Sequence, residues 1–161
     1  MMYITGIPAF GVMCELDTPG RWNVTKKEFL DEEIFKLKNS DESPFKDYGI
    51  EENKMVPYHE FCTYNVANHV RAYLDLLYEC KFDLLEDTFI ECINNSKCRE
   101  DIFMCVYGKL RNLAPFKEIN EFMCNEFGNA WISYIESVNS VAEHISNRDE
   151  AVKTISKIQG D

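Results

Sequence analysis

The chain has 161 residues, 45% of them hydrophobic, so it can bury one core without a disulfide or a structural metal. Its 28 acidic residues outnumber 17 basic ones, for a net charge of -11. A field of that sign repels phosphate backbones and argues against nucleic acid as a partner.

Residues 1–24 differ from the rest. Ile4, Ile7, Phe10, Val12 and Leu16 sit among small residues and glycines, which predicts an extended segment or a hairpin. Thr18-Pro19-Gly20-Arg21 carries Pro and Gly in the central positions of a type II turn. Thr25 to Glu28 matches a capping box, so a helix or helical turn is predicted from Lys26 to about Leu37. Residues 39–60 hold Pro44, Gly49 and Pro57. They read as a long irregular connection that wraps the core, anchored by Phe45, Tyr48 and Ile50.

From Tyr64 onward the helical period is strong. Val66, Val70, Tyr73, Leu74 and Leu77 form one apolar stripe. A second helix is predicted from Asp83 to Asn94-Asn95. Ser96 caps a third, with Ile102, Phe103, Val106, Leu110 and Leu113 on one face. Pro115 opens a fourth, whose apolar positions run from Ile119 through Trp131 and Val138 to about Ile145. Gly128 interrupts that run and marks a kink or a break. Asn147 with Glu150 starts a short last helix that ends near Gly160. The expected fold is one mainly α domain over residues 1–161. A core of four or five helices fills 64–158, behind a small N-terminal β hairpin or extended segment, with α+β as the alternative.

Seven cysteines, at positions 14, 62, 80, 92, 98, 105 and 124, follow no disulfide framework and fit a reducing compartment. The apolar runs are too short for a membrane span, and Met1–Val12, interrupted by Gly6, Pro8 and Gly11 and with no Lys or Arg ahead of its apolar stretch, does not read as a secretory signal. The expected location is the cytoplasm. P-loop, dinucleotide-binding, zinc-protease and nucleophile-elbow motifs are all absent, as is any C-x-x-C pair.

Three groups of residues could still carry a site. Asn65 and His69, four apart on the helix expected after Tyr64, share one face, and Arg71 and Asp75 are placed to pair across solvent. The functional reading is a pocket or partner stripe; the plain one is a histidine at the edge of the core. Asp17, Arg21 and Trp22 flank the Pro-Gly turn as a recognition patch, or simply brace it by pairing and stacking. His59 and Cys62 have a spacing that begins a zinc site, but a second ligand pair is missing, so no metal and no cofactor is expected. A Cys–His nucleophilic pair needs spatial neighbours that no local signature singles out.

Residues 3–9 (Tyr-Ile-Thr-Gly-Ile-Pro-Ala) and 64–71 (Tyr-Asn-Val-Ala-Asn-His-Val-Arg) resemble an uncharacterised family of small Firmicute proteins, whose members begin MYITGIHALN and carry a YNVANHIRA segment. Pro8 stands where that family has His. The resemblance spans most of residues 2–135. It implies a bacterial, cytoplasmic protein of a mobile-element or defence neighbourhood, and it draws attention to Asn65, His69 and Arg71. It supplies neither fold nor catalytic residues.

Charge, helical stripes and missing motifs together predict a non-enzymatic binding or regulatory protein. It would act through a protein partner, preferably basic, or through self-association, without nucleic acid or membrane. The rival reading is an enzyme built on Asn65, His69 and Arg71. A third is an acidic mimic of DNA, which requires carboxylates aligned on one face.

Overall fold

A computed structural model describes residues 1–159, with side chains through residue 156. The chain divides into two compact units, one of Met1–Phe122 and one from Met123 onward. The fold is α+β, 55% helical with a four-stranded mixed sheet, and not a helical core behind an N-terminal hairpin.

The first unit is built on that sheet. Its strands are β1 (Met2–Ile4), β2 (Leu37–Asn39), β3 (Ile50–Met55) and β4 (Thr63–Ala67), in the order β2-β1-β4-β3. β1 pairs antiparallel with β2 and parallel with β4, while β3 and β4 pair antiparallel across an irregularity between Glu51 and Lys54. No hairpin forms in residues 1–24. After β1 the chain makes a helical turn, α1 (Ile7–Phe10), with Pro8 in its first turn where a missing N–H costs nothing. The long connection is not structureless either, since β3 lies inside it. Of its expected anchors, Phe45 is buried, while Tyr48 is exposed and Ile50 is half-buried.

The helix expected from Tyr64 begins later. Thr63–Ala67 is strand, and α3 runs from His69 to Tyr78. Asn68 stops the strand and caps the helix, its Oδ1 accepting from the Arg71 N–H at 2.9 Å. Nine consecutive residues of α3, His69 to Leu77, are buried. A helix enclosed on every side is a core element, not a surface one. It packs against α1, β4 and α4 (Ser96–Cys105).

Thr25 closes its capping box as predicted, but the helix it opens, α2 (Lys26–Leu30), stops well short of Leu37. There the Asp31 side chain takes the N–H groups of Glu33 and Ile34 into a turn that leads to β2. The second predicted helix is only a 3-10 turn (Phe82–Leu84) and a π-helical turn (Phe89–Ile93). Asn95, not Ser96, caps α4, which passes into a second π turn (Val106–Leu110).

α5 (Phe116–Phe127) carries the chain across the boundary of the two units. In the second unit Gly128 breaks the helical run with φ +53°, its N–H bonded to Cys124 O at 3.0 Å. α6 then runs unbroken from Asn129 to Gln159, so no new helix starts at Asn147. Its 31 residues span about 46 Å at 1.5 Å each. Gly160, the expected stop, lies outside the described residues. Among the described residues no helix is long and apolar enough to cross a membrane.

Candidate functional site

The loop after α1 folds over the start of α3. Gly20 N–H donates to Cys92 O at 2.9 Å, Arg21 N–H to Phe10 O at 2.7 Å, and Asn95 Nδ2 to Asp17 O at 3.0 Å. These bonds replace the predicted type II turn and hold residues 10–22 as the wall of a cleft of about 390 Å³. His69, 2% exposed, forms its floor. Gly20, at φ +66°, lies directly on the ring. A Cβ there would meet His69 Cε1 at 2.7 Å and Phe10 O at 2.9 Å, so only glycine fits.

The ring's tautomer follows from its partners. His69 Nε2 is 3.0 Å from Val12 O, and a carbonyl only accepts, so Nε2 carries the proton. In the neutral ring Nδ1 is then an acceptor, and Thr18 Oγ1 donates to it at 2.7 Å. Thr18 Oγ1 also lies 3.4 Å from Leu16 O, a weaker alternative. Its lone pair faces Cys14 Sγ at 3.5 Å, a hydrogen bond within the reach of sulfur. The result is a chain Cys14–Thr18–His69–Val12 O. Partial burial pushes the Cys14 thiol up, but the neighbouring His69 and Thr18 groups favour the thiolate, outweigh it and leave the thiol at about 7. The His69 backbone N–H contributes in the same sense. It belongs to the first residue of a ten-residue helix, whose opening N–H groups lack intrahelical partners.

The six residues singled out in the sequence therefore separate. Asp17, Arg21, Trp22 and His69 line this cleft. Trp22 is 94% exposed, and Arg21 Nε donates to Asn23 Oδ1 at 3.2 Å, which turns the guanidinium to Asn23. Asn65 lies on β4 and donates to Met2 O at 3.2 Å, which ties β4 to β1. Arg71 is fully buried and its ion pair with Asp75, at 2.9 Å, sits in the core and not across solvent. Asn65, His69 and Arg71 thus do not converge on one pocket. Cys14 and Thr18 bring chemistry to the cleft that the sequence did not single out; what places them over α3 is hydrogen bonding of the loop backbone across 11 to 78 residues, the longest from the Asn95 side chain.

His59 and Cys62 belong elsewhere. His59 stacks on Phe35 at 4.4 Å, with Nε2 on Phe29 O and Nδ1 on Tyr64 OH, while Cys62 donates to Tyr64 OH. Among the described residues no three His, Cys, Asp or Glu side chains gather as a metal site. A larger cleft of about 550 Å³ is lined by β1 and β2, and three of its charged side chains, Lys38, Asp75 and Glu79, are already paired. Asp75 is taken by Arg71, Tyr3 and Thr5, and Lys38 by Glu79.

The second unit carries a different feature. From residue 139 to 156 α6 is exposed around its whole circumference. Val138, Val141, Ile145, Arg148, Val152 and Ile155 follow one another at alternating steps of three and four. Val141, Ile145, Val152 and Ile155 are each more than half exposed. Compared with known protein families, with curated proteins and with solved structures, the chain matches none.

Proposed function

We propose that this chain is a binding protein that works in an assembly, with α6 pairing against α6 of a second copy. One observation carries this reading: an apolar stripe in coiled-coil spacing, exposed on a helix of 31 residues. A helix without tertiary cover draws little stability from propensity alone, so a bare amphipathic stretch of this length calls for a partner. β-branched Val138, Ile145 and Val152 occupy one seam position, the preference of two-stranded pairs. α6 carries Glu136, Glu143, Asp149 and Glu150 against Arg148, Lys153 and Lys157, so it is nearly neutral and two copies meet without strong repulsion.

Sedimentation equilibrium of the full chain tests this. A dimer is expected at micromolar concentrations, and Val141→Glu with Val152→Glu should return it to monomer without lowering the melting transition of the first unit. A wild-type monomer throughout that range would remove the second copy as the partner. A basic protein partner is the second reading, supported by the net charge of -11. Salt separates the two, since binding between opposite charges weakens with ionic strength and apolar pairing does not.

A further inference from the structure

Partner binding leaves the cleft over α3 unexplained. We propose that Cys14 is the nucleophile of a covalent thiol site, with Thr18 and His69 carrying its proton, and that the cleft takes a small apolar acyl ester or thioester. Geometry supports it first. Cys14 Sγ, Thr18 Oγ1 and His69 Nδ1 are linked in series at 3.5 and 2.7 Å, and Val12 O fixes the only tautomer in which Nδ1 is free to accept. Phe10, Met13, Leu16, Pro19 and Trp22 line the cleft beside them, which favours an apolar acyl group.

The step balances within these residues. The Cys14 proton passes to Thr18 Oγ1 as the Thr18 proton passes to His69 Nδ1, leaving a thiolate and an imidazolium. Sγ attacks the acyl carbon, the S–C bond forms, and the bond to the leaving oxygen or sulfur breaks. The leaving group takes the proton back from His69 along the same path, and the acyl group stays on Cys14. A proton store next to the nucleophile serves leaving-group departure. The other titratable or charged groups near the thiol include Asp17 and Arg21 on the loop, Cys98 on α4, and Glu15, whose N–H donates to Glu51 Oε1 at 2.8 Å.

The test is labelling of the full chain with iodoacetamide from pH 5.5 to 9.5, read at each cysteine by mass spectrometry, followed by p-nitrophenyl acetate as the acyl probe. Cys62 and Cys80, both exposed, are internal controls. Cys14 should reach half its maximal rate near pH 7 and react about five- to tenfold faster than the controls at that pH. A thiol that titrates two units lower has roughly fiftyfold more thiolate but is intrinsically less nucleophilic by nearly tenfold. p-Nitrophenyl acetate should leave an acetyl group on Cys14, with one equivalent of p-nitrophenolate released. Thr18→Val, which keeps the shape and breaks the relay, should move the Cys14 profile up towards that of the controls, and Thr18→Ser should restore it. A Cys14 profile identical to the controls, one indifferent to Thr18→Val, or alkylation without acetylation would each overturn the assignment.

Discussion

Arg71 fixes the first unit through a single guanidinium. Nε donates to Asp75 Oδ1, one terminal nitrogen to Lys46 O and Tyr48 O at 2.6 Å each, and the other to Tyr3 Oη at 2.7 Å. Its plane also lies over the rings of Tyr3 and Phe45. Tyr3 and Thr5 in turn donate to Asp75 Oδ2. Burial, and then the Asp75 carboxylate, push the Tyr3 hydroxyl well above its ordinary range, so it remains a donor. Removing one partner of a buried pair strands the other, at about 3–5 kcal/mol. Arg71→Ala should therefore lower the urea midpoint by that equivalent, and Arg71→Lys should recover only part, lacking the fork that reaches both carbonyls. The i, i+4 spacing of Arg71 and Asp75 was legible in the sequence. Their burial was not, because the carbonyls that satisfy Arg71 arrive from a segment 23 to 25 residues away. Cys14 carries the pH dependence at this scale. Its native thiol titrates at about 7 against an ordinary 9, so between these values the unfolded chain holds more protons. Stability should rise with pH across that window and be lost as pH falls through 7. Partial exposure of Cys14 keeps the gain small. Cys14→Ser should flatten it in a series of urea melts.

At the scale of elements, local signals held wherever the chain's own neighbours supply the bonds. Thr25 and Glu28 exchange backbone and side-chain bonds within four residues, and that box was readable directly. Thr25→Ala should cost about 1 kcal/mol in urea unfolding. Gly128 was readable as an interruption, and its φ of +53° decides for a break. A Cβ there meets nothing within 4 Å, so Gly128→Ala pays only for the backbone, about 1 kcal/mol, whereas Gly20→Ala should also displace His69. The strands were hidden for the opposite reason. β1 and β2 are three residues each, too short for any period, and β1 finds its partners 33 to 62 residues along the chain. β4 does alternate, with Tyr64 and Val66 between Thr63, Asn65 and Ala67, but Val66 also falls on the helical stripe of α3. The cap at Asn68 is the local feature that separates the two periods.

For the whole molecule the open question is what covers α6, and Arg148 discriminates between the candidates. It is the one charged residue in the seam from Val138 to Ile155. A single polar residue at a core position of a coiled coil fixes register at a cost in stability. If a second copy covers the seam, Arg148 faces an apolar layer or its own counterpart, and either is unfavourable. Arg148→Leu should then tighten self-association, by at least tenfold in dimer Kd if about 1.4 kcal/mol is recovered. A basic partner predicts no such gain in self-association, and its hold on the acidic chain should instead weaken as salt rises. Salt moves the two cases apart again. Each copy bears a net charge of -11, so screening should strengthen pairing between copies. Sedimentation equilibrium of wild type and Arg148→Leu at low and high salt reads both effects in one experiment, and a Kd that rises with either change would remove the second α6 from this seam.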